Sequence, residues 1–200
     1  MIIVNLGNYD NYNRKSIDTT LFACEKFMKN NDKAFLYLHI WSISGTNDKG
    51  NHQYSSFDNV FSIQNFLEYI SIPKDKIIID EKYLDKIIIH ELMYAADVLL
   101  QCSKSEGFGL PILETQLLGT PVITTNFGAM ADYTYYGISV DPIQKLYNIE
   151  LNAIWCLPSI DGIDKALNRI YINELKWHGP HYSSACDMAK KKILNTMSIE

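Results

Sequence analysis

Charge of one sign, cysteine and long apolar runs are all scarce or unpatterned in this chain, and each shortage closes a class of function. Lysine and arginine number 18 against 23 aspartates and glutamates, a formal net charge of -5 over 200 residues. There is therefore no broad positive field to hold a nucleic-acid backbone or an anionic membrane, and any phosphate ligand must be held locally. No uninterrupted apolar stretch approaches the roughly 20 residues that span a bilayer. The opening Ile2-Ile3-Val4 run is too short for a signal-peptide core and has no basic residues before it, so a cytoplasmic location is expected. Cys24, Cys102, Cys156 and Cys186 lie without a CxxC spacing, which favours reduced, buried thiols over a disulfide framework or a zinc site. There is no D-x-D triplet. His178 and His181 are spaced i, i+3, but Gly179-Pro180 between them breaks the helix that a metal pair would need.

What remains is a chain with 47% hydrophobic and 20% charged residues, enough for one substantial core and so one domain. Short apolar runs at Ile2 to Leu6, Ala34 to Ile40, Lys76 to Ile79, Asp97 to Cys102 and Pro121 to Thr125 read as buried strands. Between them, helices are expected at Ser16 to Lys29, where Ile17, Leu21, Cys24, Phe27 and Met28 share a face, at Asn59 to Ile70, and at Leu84 to Ala96. A further helix spans Pro111 to Leu118, with proline in its first turn and Gly119 as its stop. Gly7 to Asn13 and Ser42 to Asp58 read as polar loops. Past Asp141 the pattern blurs, with helices near Ile163 to Leu175 and Ser184 to Leu194. No repeat or low-complexity linker is present.

Strands alternating with helices predict an α/β fold, a doubly wound parallel sheet covered on both faces. The expected division is a core over residues 1–141 and a closing helical segment over 142–200, with Trp155 and Pro158 packing at its start. Ligands of such sheets bind outside the carboxyl ends of the strands, which gathers the loops after the first strand, the Asp97 strand and the Pro121 strand around one crevice.

Those loops hold the unusual residues. Ser105-Glu106-Gly107-Phe108-Gly109-Leu110-Pro111-Ile112-Leu113-Glu114 sets two carboxylates eight positions apart across a strand-to-helix turn. The glycines allow a ligand close to the backbone, and the free amides near Gly109 and Leu110, at the positive end of the helix, suit a phosphate. A ligand with hydroxyls at both ends and a diphosphate between them would match two acceptors flanking a donor site. Taken singly, Glu106 would be a turn residue and Glu114 a solvated helix residue.

The full string resembles the retaining GT-B glycosyltransferases of family 4 (glycosyl transferases group 1), whose signature is E-G-F-G-L-P-x-x-E, a helix, and then G-x-P-V-I. Here EGFGLPILE runs from Glu106 to Glu114 and GTPVI from Gly119 to Ile123. The resemblance implies a Rossmann-like half of a GT-B architecture that binds a nucleotide sugar. Glu106 would bond the sugar hydroxyls, the Gly109 and Leu110 amides would hold the distal phosphate, Glu114 would bind the ribose, and Gly107 and Phe108 would belong to the same donor-binding turn. Arg14-Lys15-Ser16 resembles the family's second basic element, with Lys15 as the phosphate lysine and, with Glu106, a catalytic group. The first basic element departs from the pattern, because Gly7 is followed by Asn8 rather than arginine. Either Arg14 supplies the missing charge or the site is weakened. Gly128, in Phe127-Gly128-Ala129, resembles the loop that approaches the donor sugar, and Tyr83 would stack on the base or else lie at the surface.

No cofactor or divalent metal is implied; the leaving diphosphate would be stabilised by amides and Lys15. The acceptor domain of a GT-B enzyme is absent from the chain, which would make it a fragment, a domain or half of a split enzyme, with poor turnover alone. A nucleotide-sugar-binding module without catalysis is the other expectation, and Asn8 keeps it open.

Overall fold

The computed structural model describes residues 1–8, 13–41, 63–80 and 84–172. Its centre is a six-stranded sheet formed by β1 (Ile2–Asn8), β2 (Leu36–Trp41), β3 (Ile77–Asp80), β4 (Val98–Gln101), β5 (Val122–Thr125) and β6 (Gly137–Val140). The strands lie in the order β3-β2-β1-β4-β5-β6, and every pairing is parallel. Six helices are described: α1 (Ile17–Met28), α2 (Ile63–Tyr69), α3 (Lys86–Ala95), α4 (Leu110–Leu117), α5 (Ala129–Tyr133) and α6 (Ile160–Tyr171).

Both faces of the sheet are buried, and β4 shows how a continuous apolar run achieves this. Side chains alternate across a strand, so Val98 and Leu100 enter the cluster containing Ile17, Leu21, Phe27, Ile163 and Leu167, from α1 and α6. Leu99 enters the opposite cluster with Met93, Ile112, Val122 and Met130, on the side of α3, α4 and α5. In α6, Ile163, Ala166, Leu167 and Ile170 are buried at helical spacing, while Asp161 and Lys165 face solvent. This face packs on α1, where Phe27 meets Tyr171 edge-on at 5.7 Å between ring centres.

The expected helix stop is present as a Schellman turn. Gly119 has φ 89°, its amide bonds the Gln116 carbonyl, and the Thr120 amide bonds the Thr115 carbonyl. Gly137 begins β6 so close to β5 that a Cβ would lie 1.9 Å from the Val122 carbonyl oxygen.

Two expectations need correction, and one strand adds to them. Gly7 and Asn8 extend β1 rather than opening a loop, because parallel pairing with β2 continues to Asn8 opposite Trp41. The closing segment is not purely helical: β7 (Gln144–Asn148) and β8 (Ala153–Leu157) form an antiparallel hairpin ahead of α6. The strand β6 was not foreseen. The loop expected over Ser42 to Asp58, the start of the Asn59 helix, Tyr83, the histidine pair and the Ser184 helix lie outside the described residues.

Candidate functional site

The order in which strands are added reverses between β1 and β4: β2 and β3 are laid down on one side of β1, and β4, β5 and β6 on the other. Such a switch point splays the loops after the two central strands and opens a crevice at their carboxyl ends. Arg14 and Lys15 lie after β1, and Glu106 lies after β4, so the topology alone brings together residues about ninety positions apart.

The structure joins them closely. Lys15 Nζ donates to Glu106 Oε1 at 2.5 Å, and Arg14 Nη1 donates to Glu106 Oε2 at 3.0 Å. Arg14 Nη1 also donates to the Ser105 carbonyl at 2.7 Å. Two further donors converge on Oε1: Ser103 Oγ at 2.7 Å and Gln101 Nε2 at 3.0 Å. The Glu106 side chain is only 8% exposed and Lys15 11%. Burial pushes the Glu106 carboxyl upward, but the Lys15 charge and hydrogen bond, with the Ser103 hydroxyl and the Arg14 charge, outweigh it and hold the group below the ordinary carboxylate value. An ionised carboxylate is thus kept in a nearly dry place by two cations.

The loop carrying Lys15 is held in a special conformation. Asn13 and Ser16 both have positive φ, and the Asn13 side-chain oxygen accepts from the Ile17 amide at 3.1 Å, serving the start of α1 in place of Ser16. On the facing loop, Gly109 has φ 80° and leads into α4, with Pro111 in the first turn. Pro111 brings no amide hydrogen and the Ile112 amide bonds the Gly109 carbonyl at 2.9 Å, so Leu110 supplies the first-turn amide that has no partner within the helix. Gly107 is exposed, with open space where a Cβ would lie, and the exposed Phe108 ring stacks obliquely on Tyr133 at 4.8 Å. Glu114, on α4, is 28% exposed, and Lys86 at the start of α3 reaches it at 3.5 Å. Gly128 takes φ 54° and ψ -142°, a backbone setting that L side chains rarely adopt, at the end of the loop after β5.

The sequence-predicted Arg14, Lys15 and Glu106 are therefore in direct contact, and Gly107 to Leu110 complete the same loop. Glu114 is paired with Lys86, and Tyr83 lies outside the described residues. Gln101, Ser103 and Lys86 were missed. A fully buried glutamine closing the otherwise apolar Val98-Leu99-Leu100 run is the signal that could have found the first. Cavities of about 260 and 290 Å³ lie elsewhere, one lined by Phe27, Val98 and Ile170 and the other by Ser139, Ser159 and Lys165; neither is lined by the residues of the cluster. Among the described residues no three His, Cys, Asp or Glu side chains gather as a metal site, and no helix is long and apolar enough to cross a membrane.

The doubly wound sheet with this switch point is a Rossmann-like domain of the GT-B kind. Its solved neighbours include the C-terminal domain of the glycosyl transferase group 1 family protein LpcC from Francisella tularensis, at TM-score 0.67 and 18% identity, covering 96% of this chain and 85% of that one. They also include Anabaena Alr3699/HepE in complex with UDP and glucose, at TM-score 0.65 and 15% identity, covering 98% of this chain and 48% of that one. At these identities the likeness is one of fold. In sequence, residues 81–137 match the family model for glycosyl transferases group 1, a stretch that holds the Glu106 turn and α4. A chain of Sulfolobus islandicus filamentous virus that bears the name glycosyltransferase 48 is 39% identical over 59 residues, 30% of this chain. The match spans 19% of that relative's length.

Proposed function

We propose that this chain is the donor-binding domain of a retaining glycosyltransferase, and that it holds a nucleoside diphosphate sugar across the crevice between the loops after β1 and β4. The observation that carries this reading is the convergence of Arg14 and Lys15 on Glu106 at the switch point, in the loop that leads into the start of α4. Two cations and a helix start suit a diphosphate. The diphosphate draws Lys15 and Arg14 toward itself and thereby uncovers Glu106, whose freed oxygen accepts sugar hydroxyls. Glu114 accepts from the ribose, and the loop at Gly128 brings backbone toward the sugar. Tyr83 keeps its proposed place at the base.

Catalysis on this reading comes from positioning the donor and from stabilising the negative charge that grows on the leaving phosphate, without a divalent metal. The acceptor side belongs to a second domain, in the same protein or another. The chain covers 48% of HepE, which is in keeping with a site that another body completes. Without it, turnover is poor. A nucleotide-sugar-binding module without catalysis is the second reading, favoured by Asn8 where the family resemblance implies arginine. A cytoplasmic setting remains part of the proposal.

Calorimetry with UDP, GDP and their glucose and mannose conjugates, with and without chelator, tests the donor site. Binding that survives chelator supports the proposal, and binding abolished by chelator, or absent for every conjugate, overturns it. Acceptor-dependent sugar transfer after addition of the partner domain separates the enzyme from the module.

A further inference from the structure

Gln101 is the last residue of β4, paired in register with Thr124 of β5, and it is 1% exposed. An amide in the middle of a parallel sheet loses its water, and an apolar side chain of equal size would fill the same space without that cost. Here the cost is only half recovered. The Nε2 group donates to Glu106 Oε1 at 3.0 Å and lies 3.5 Å from Ser103 Oγ, whereas Oε1 of Gln101 is buried with no hydrogen-bond partner. Rotating the amide would set its oxygen against a carboxylate oxygen, two acceptors face to face, so Glu106 fixes its orientation.

The four donors to Glu106 divide into two kinds. Lys15 and Arg14 are charged and are the groups that a diphosphate would recruit; Gln101 and Ser103 are neutral, buried and already turned to the carboxylate. Gln101 and Ser103 both bind Oε1, while Arg14 holds Oε2. When the cations turn to phosphate, Oε1 stays anchored and Oε2 is vacated. The Ser103 bond spans three residues of one turn and comes with the loop itself. The Gln101 bond ties the carboxylate to the sheet.

We infer that Gln101 is a positioning residue that anchors Oε1 of Glu106 and so presents Oε2 to the hydroxyls of the donor sugar. This rests on the reading of Glu106 as the sugar-facing carboxylate. It assigns donor selectivity to a strand residue that lies beneath the EGFGLP turn and outside it.

The test uses the full chain, with UDP and UDP-glucose as calorimetric probes and the GDP pair as a parallel set. Gln101→Met keeps volume and removes the donor; Gln101→Leu replaces it should the first variant fail to fold. In either variant UDP affinity stays within about twofold of wild type, while the advantage of the sugar conjugate over the free diphosphate falls about fivefold, the scale of one typical net hydrogen bond. In a Glu106→Ala background the same substitution at Gln101 has no further effect on that advantage, because its action passes through Glu106. An advantage left intact by Gln101→Met but lowered by Glu106→Ala overturns the role of Gln101 and leaves that of Glu106 standing. Equal losses for diphosphate and conjugate overturn it as well, in favour of a purely structural part. If Glu106→Ala does not change the advantage, or the wild type binds no conjugate, the reading of Glu106 itself fails and the inference falls with it.

Discussion

The backbone amide of Lys104 donates to the carbonyl of Arg14 at 2.7 Å, splicing the loop after β4 to the loop after β1. The same short segment is held from two other sides. Thr125, at the end of β5, donates its hydroxyl to the Ser103 carbonyl at 2.8 Å, and the Cys156 amide of β8 donates to the Lys104 carbonyl at 2.9 Å. The Glu106 turn is therefore fastened to three separate parts of the chain before any ligand arrives. A turn fixed in this way limits reorganisation on ligand binding to the Lys15, Arg14 and Glu106 side chains, which is the physical case for a binding site here.

Lys15→Ala is expected to weaken UDP binding by about 1–3 kcal/mol, the range for a lost charge-assisted hydrogen bond. Calorimetry on the folded variant measures it. An unchanged affinity in Lys15→Ala, with a large loss in Arg14→Ala, would transfer the phosphate role to Arg14.

Acid should loosen the cluster. The Glu106 carboxyl is held below its ordinary value of 4.5, so the unfolded chain takes up this proton before the folded chain does. Its contribution to stability is fully present above that value and is lost as pH falls through the folded-state pKa. Thermal melts of wild type and Glu106→Gln, taken from pH 7 to pH 3, should show a wild-type advantage that shrinks below about pH 4.5. An advantage that grew in acid would contradict the assigned ion pairs.

Two glycines of the site separate fold from ligand. Gly128 has φ 54°, so Gly128→Ala strains the backbone although no atom lies within 4 Å of its Cβ, and a loss of roughly 1–3 kcal/mol of stability is expected. Gly107 shows neither a positive φ nor a neighbour within 4 Å. Gly107→Ala should leave the melting temperature unchanged and weaken UDP-glucose binding if the ligand approaches this backbone. A variant with wild-type affinity would remove Gly107 from the site.

The sheet was legible in the sequence wherever burial was two-sided. Val98-Leu99-Leu100 and Val122-Ile123 are runs that only a covered strand accommodates, and β4 and β5 are fully buried. The strand β6 was not legible, because four residues opening on Gly137 carry little periodicity, and their place depends on the close approach to Val122. The hairpin escaped for a different reason: Tyr147 and Ile154 face each other across it yet are 64% and 55% exposed, so its pattern does not separate an inside from an outside. In the site, Glu106 and Glu114 were readable because they sit in one continuous string. Gln101 and Lys86 were not, because their bonds to those glutamates depend on how β4 and α3 are placed.

The two glutamates should fail in different ways, since the proposal sets them at opposite ends of one ligand. Glu114 is 28% exposed, and its contact with the exposed Lys86 at 3.5 Å is too open to contribute much to folding. Glu114→Ala should therefore leave stability nearly unchanged and remove a ribose acceptor, lowering the affinities for UDP and UDP-glucose by similar factors. Glu106→Ala leaves Lys15 facing an empty, nearly dry space, so its melting temperature should fall. Free UDP, which satisfies Lys15 and Arg14 by itself, should bind nearly as before, while UDP-glucose loses its extra affinity, on the order of 1 kcal/mol. With an acceptor domain supplied, the same change should depress turnover more than binding, provided that the contact tightens as the sugar separates from phosphate. Equal losses for both ligands in both variants would mean that the glutamates only brace the turn, and the division of labour between sugar and ribose would have to be abandoned.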